Sequence, residues 1–343
     1  MTLMPAGVGT GVGSMPGTDP AEAAAIVNGE LDFAYLAELP ARGIGADLIG
    51  RMAALLVDLP MDASTWGYRL GSRGSAVTRR ARGFLAADLD AIEESWDTAG
   101  FIGTGRTVKV QVAGPFTLAA SVELANGHKA IRDRGAVRDL VDSSAEGLVE
   151  LLGEVRRRLG ASVIVQLDEP MVGAVIDGTV QPLTRLDVIA PVPVADVAEA
   201  LSSVRDRIGV PMIVHNCGAP RWDLIDALPA VAYGLDVTRA LVSDATPDSA
   251  LLDGIGALID RGDILVAGVI SGDPAARDAR AETIAMALAR ITDRIGLPRR
   301  VLATNVIVSP SCGLAGESPR RARTALEVCA RSGELLANDP DAL

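Results

Sequence analysis

Short runs rich in Val, Ile and Leu alternate with longer stretches whose apolar residues recur every three or four positions, from about residue 105 onward. TVKVQVAG (107–114) reads as a strand closed by Gly114-Pro115, and VRDLVDSSAEGLVELLGEVRRRLG (137–160) as a helix with a glycine stop. Further strands are expected at SVIVQLDEP (162–170), PMIVHNCG (211–218), AVAYGLDVT (230–238), DILVAGVIS (263–271) and VLATNVIVS (301–309). Helices fill the gaps at 194–209, 220–228, 247–261, 277–295 and 318–336. Upstream, LDFAYLAELP (31–40) fits a first strand, and LDVIAPVP (186–193) fits another.

Strands that read as unbroken apolar runs, each followed by a helix, mark a parallel sheet covered on its faces. Seven or eight of them predict an α/β fold: one (β/α)8 TIM barrel with an elaborated N-terminal region, filling 1–343 as a single domain. A doubly wound open sheet is the competing architecture. No internal repeat or low-complexity linker marks a boundary.

Composition narrows the class. Of 343 residues, 49% are hydrophobic and 22% charged, which is globular rather than disordered. The net charge of −12 argues against nucleic-acid and anionic-membrane partners, which reward basic surfaces. No charge-free stretch approaches the roughly 20 apolar residues of a membrane span. MTLMPAGVGTGVGSMPG has neither a basic start nor a solid apolar segment, so a cytoplasmic protein is expected. Three cysteines make no disulfide framework and leave thiols for metal binding or for packing.

A barrel carries its active site at the C-terminal ends of its strands. The polar residues at those ends are Glu38, Asp168, Glu169, His215, Cys217, Asp236, Ser271, Asp273 and Cys312. They include two of three cysteines and one of two histidines; Cys329, mid-helix, is expected in the core and His128 in a surface loop. Residues two apart on a strand share a face, so His215-x-Cys217 sends an imidazole and a thiol toward one point. The next strand end adds the carboxylate Asp236, and the last adds Cys312 in SPSCGL. Two thiolates, an imidazole and a carboxylate suit tetrahedral Zn²⁺. So electron-rich a site is a weak Lewis acid but holds a substrate thiol as thiolate, which points to alkyl transfer to sulfur. Asp168 and Glu38 are placed to hold the ammonium group of an amino-acid thiol.

Six segments recur in order: GVGSMP (11–16), Trp66 followed by GSR (71–73), VQVAGPFTL (110–118), VQLDEP (165–170), HNC (215–217) and PSCGL (310–314). Together they resemble the C-terminal catalytic barrel of the cobalamin-independent methionine synthases. The resemblance implies zinc held by His215, Cys217, Asp236 and Cys312. It also implies homocysteine contacts from the Gly13-Ser14 backbone, Glu38 and Asp168. Three departures stand out. Asp236 replaces the family's glutamate ligand, and 343 residues leave no room for the extra N-terminal barrel of the long enzymes. Ser121 stands where the family has a tryptophan platform for the pterin ring. The expected activity is zinc-dependent methyl transfer to homocysteine, from a methyltetrahydrofolate or from a methylated corrinoid carried by another protein. Alkyl transfer involving another thiol such as coenzyme M, a porphyrin-type decarboxylase, and a non-catalytic zinc-binding relative are the alternatives.

Overall fold

The computed structural model describes residues 4–65, 67–71, 75–184, 187–229, 231–241, 248–271 and 280–343. Its barrel strands are β1 (Val8–Gly9), β2 (Ala34–Tyr35), β5 (Thr107–Ala113), β6 (Ser162–Asp168), β7 (Met212–Asn216), β8 (Ala232–Asp236), β9 (Ile264–Ile270) and β10 (Val306–Pro310). They form one eight-stranded sheet in the order β1-β10-β9-β8-β7-β6-β5-β2, every pairing parallel. The two edges meet beyond β1 and β2. Ser14 and Glu38 form a parallel bridge, with Met15 N donating to the Glu38 carbonyl (2.8 Å) and Glu38 N to that of Gly13 (3.1 Å). The ring is thereby closed, and the fold is the TIM barrel that the apolar runs predict.

Two expectations are corrected. Residues 187–193 contain no strand, because Pro191 and Pro193 lack the N–H a ladder needs. The eighth strand is instead β1, too short and glycine-rich to stand out in the sequence. The run 301–309 is split into a helical turn, Val301–Asn305, and a strand that starts at Val306. Ala303 and Asn305 are weak strand formers, and pairing begins only where Val306 meets Leu265 of β9. The N-terminal elaboration includes a hairpin of β3 (Met61–Ser64) and β4 (Gly67–Leu70) packed near the helix Ala76–Thr98. Among the described residues no helix is long and apolar enough to cross a membrane.

Alternation along the strands sorts the barrel interior into layers. Phe33, Ile164, Ile213, Ala232, Val266 and Ile307 form a separate buried cluster that plugs the amino-terminal end. Two residues further along the same faces stand Tyr35, Gln166, His215, Gly234 and Ser309, with Lys109 beside Tyr35 in register. The barrel turns polar halfway up, and that change of layer positions the site.

Candidate functional site

Strand register sets the rim. Asp168 pairs with His215, His215 with Gly234, and Asp236 with Gly268, so these positions lie side by side on neighbouring strands. His215 is buried, and burial, aided by the positive charge of Lys109, pushes its imidazole down to about 4. The ring is therefore neutral at physiological pH. Its Nδ1 lies against Gly234, whose backbone carbonyl accepts a hydrogen bond from the ring, and its Nε2 is buried with no partner among the described residues. A methyl group on Gly234 would stand 2.6 Å from Nδ1, so only glycine lets the imidazole lie there.

Beyond the end of β7, the half-buried Cys217 meets Cys312 from the turn after β10, and the two thiols hydrogen-bond to each other. The hydrogen bond between them lowers the Cys312 thiol to about 6 and raises the Cys217 thiol well above the usual range. The Cys312 turn is seated on the start of the barrel. Leu314 N donates to the Ser14 carbonyl (2.8 Å), and a side chain at Gly313 would overlap Ser14 Oγ. Thus the Gly13-Ser14 segment, the Glu38 bridge and the Cys312 turn are one connected patch.

Two buried carboxylates complete it. Glu38 accepts from Gln111 Nε2 (2.8 Å), and Asp168 Oδ1 accepts from Gln166 Nε2 (2.7 Å). Burial raises the proton affinity of both, and the charge of Glu38 raises Asp168 further. Asp168 pairs in register with His215, two residues before Cys217, and its charge and that of the thiols oppose each other's ionisation.

The remaining predicted residues separate by role. Asp236 is on the rim, where its charge opposes ionisation of Cys312, but its Oδ1 already accepts from Thr238 N (2.9 Å) and Thr238 Oγ1 (2.6 Å). Among the described residues, no three His, Cys, Asp or Glu side chains stand together as a metal-holding group. The thiols are paired, while His215 Nε2 and Asp236 are not drawn into the same cluster. Glu169 is fully buried and its carboxylate accepts from Phe116 N (3.0 Å), Thr117 N (2.7 Å) and Thr117 Oγ1 (2.7 Å), fastening the β5 and β6 ends together. Cys329 packs in the core and His128 is in a surface loop beside Arg132 (3.0 Å), as expected. Ser271 follows β9 and lines a small cavity together with Cys312. Trp66, Ser72, Arg73 and Asp273 lie outside the described residues.

The sequence reading passes over Lys109, Gln111 and Gln166. Each is a polar residue inside a Val-rich strand, fully or almost fully buried. Their signal is the alternation itself, since T-V-K-V-Q-V and V-I-V-Q-L-D put every polar residue on one face.

The family model described as "Cobalamin-independent synthase, Catalytic domain" matches residues 8–333. Among solved structures, a B12-independent methionine synthase from Shewanella sp. W3-18-1, in complex with selenomethionine, superposes with a TM-score of 0.62. Identity is 14% over 98% of this chain and 100% of that one. A GH113 β-mannanase from Alicyclobacillus acidocaldarius aligns at a TM-score of 0.45 and 12% identity, over 99% of this chain and 98% of its own. No curated protein sequence matches the chain. The family match runs from the first barrel strand through most of the final helix, and the chain belongs to the cobalamin-independent synthase catalytic-domain family.

Proposed function

We propose that the protein is an S-methyltransferase that methylates the thiol of homocysteine at a zinc site on the barrel rim. The observation that carries this reading is the paired thiols of Cys217 and Cys312 on the same rim where the buried carboxylate Asp168 stands in register with His215. One rim thereby offers soft donors for a sulfur-binding metal and an acidic cradle for an α-ammonium group.

The donor chemistry fits zinc. His215 is neutral, its Nδ1 is held by a backbone carbonyl and its buried Nε2 lacks a partner among the described residues, which is how a ligand histidine is prepared. Cys312 is easily ionised, and a thiolate is the form that binds metal. His215, Cys217 and Cys312 would hold the ion, with Asp236 as the fourth and most readily displaced ligand. Bound there, zinc supplies the means to keep a substrate thiol as a nucleophilic thiolate at neutral pH. Asp168 and Glu38 would receive the ammonium group, and the Gly13-Ser14 backbone would line the same pocket. The amino acid is thus fixed at its ammonium end with its sulfur directed to the cysteine pair, which orients the thiolate for in-line attack on the methyl carbon.

Ser121 bears on the donor. It ends the helix Pro115–Ser121, and its carbonyl accepts from Lys129 Nζ (2.9 Å). A serine gives a pterin ring nothing to stack on, which favours a methylated corrinoid over a methyltetrahydrofolate. The test supplies zinc-loaded protein and L-homocysteine with each donor in turn and measures methionine. Methionine is expected from the corrinoid donor. Absence of product from both donors, in protein shown to carry zinc, rejects methyl transfer to homocysteine.

A further inference from the structure

Beneath the rim lies a buried chain of polar groups that ends in a lysine outside all six motif segments. Lys109, on β5, is completely buried, and its Nζ donates to the Val12 carbonyl (2.7 Å) and to Gln166 Oε1 (2.7 Å). Gln166 in turn donates from Nε2 to the Val12 carbonyl (2.9 Å) and to Asp168 Oδ1 (2.7 Å). Both partners of Nζ are carbonyl oxygens, so the amine acts as a donor toward each of them. An amide has one acceptor end and one donor end. With Lys109 claiming the acceptor, the NH₂ of Gln166 is turned toward the carboxylate. The reversed amide would set NH₂ against the lysine and oxygen against Asp168, two repulsive contacts in a dry interior. Asp168 is therefore held by its inner oxygen and keeps only 6% of its surface exposed.

We propose that Lys109 is a positioning residue: acting through Gln166, it fixes the Asp168 carboxylate as the acceptor for the α-ammonium group of the substrate. This rests on the reading of the rim as an amino-acid site. Lys109 does not itself touch the substrate. It acts by denying Gln166 its other orientation, so that Asp168 meets the ligand in one geometry instead of several. Glu38, held by Gln111 rather than by Lys109, is the control carboxylate in the same pocket.

The test compares two ligands that differ only in the ammonium group, L-methionine and 4-(methylsulfanyl)butanoate. Both are thioethers and weak metal ligands, so the comparison does not depend on zinc. Their affinities are measured by calorimetry for wild type, Lys109→Met, Gln166→Leu and the double variant, with thermal unfolding confirming that each is folded. Wild type is expected to prefer L-methionine. Lys109→Met and Gln166→Leu should each weaken L-methionine by about tenfold, the loss of one charge-assisted contact, and leave the des-amino ligand within about twofold. The double variant should lose no more than either single one, because both act through the same hydrogen bond. If Lys109→Met does not fold, Gln166→Leu carries the same readout. Equal losses for both ligands reduce Lys109 to a structural role, and no loss for either overturns the relay. Wild type that fails to bind L-methionine rejects the amino-acid reading of the rim, and this inference with it.

Discussion

At the scale of single residues, two side chains make opposite demands on the rim. His215 needs space. Replacing Gly234 with alanine puts a methyl carbon 2.6 Å from Nδ1, too close for any side chain to tolerate without moving the ring or the strand. Gly234→Ala is expected to cost about 1–3 kcal/mol of stability, as overpacking does, and to reduce zinc retention. Thermal unfolding and zinc per chain by mass spectrometry check the two effects; unchanged values for both would show that the imidazole is not confined. Glu169 instead needs its donors. Burial raises its carboxyl from 4.5 to about 7 in spite of the bonds from Phe116 and Thr117. The folded protein thus retains a proton that the unfolded chain releases between those two values. The Glu169 contribution to stability is full below pH 4.5 and is lost as pH rises through about 7. It spans on the order of 3 kcal/mol. A Glu169→Gln variant should lack this downward slope when unfolding is measured from pH 5 to pH 8; an identical slope in both proteins would reject the assignment.

At the scale of elements, the N-terminal elaboration is tied to the barrel by a buried ionic triad. Asp88, in the helix Ala76–Thr98, receives Arg42 at 2.8 Å and Arg51 at 2.6 Å, and all three side chains are nearly inaccessible. Removing the carboxylate leaves two buried guanidinium groups facing each other. Asp88→Ala is expected to destabilise by about 3–5 kcal/mol, measured by denaturant unfolding. A loss under about 1 kcal/mol would mean that the arginines find other partners or water. None of this was legible in the sequence, since Arg42, Arg51 and Asp88 stand in unrelated segments. The strands were legible, because Val-rich runs such as 162–168 and 264–270 are buried on both faces and declare it. Strand β1 was not, since two residues beside glycines carry no periodicity. Proline decided 187–193: the apolar content of LDVIAPVP resembles a strand, but its missing donors do not. The site divides along the same line. His215, Cys217 and Cys312 were conspicuous because such residues are scarce here. Lys109 and Gln166 were hidden inside runs that look wholly apolar.

At the scale of the whole molecule, the rim is the place where chain segments remote in sequence are joined. Cys217 follows β7 and Cys312 follows β10, with two strands between them in the ring, and the Cys312 turn rests on Ser14 at the barrel seam. An ion held by both thiols therefore braces the ring across β8 and β9 rather than one loop. A ligand that binds only the folded state stabilises it by about 2.7 kcal/mol at a hundred times its dissociation constant. Zinc in that excess should raise the unfolding temperature by a few degrees for a chain of this size. The net charge of −12 attracts any divalent cation, so the specific effect is the part that magnesium at equal concentration does not reproduce. Cys312 is exposed, and Cys312→Ser should leave the metal-free unfolding temperature almost unchanged while abolishing the zinc-specific rise. A rise that survives the loss of Cys312 places the ion elsewhere on this acidic surface. Equal effects of zinc and magnesium on wild type leave the cysteine pair without a metal to hold, and with it the thiolate chemistry of the rim.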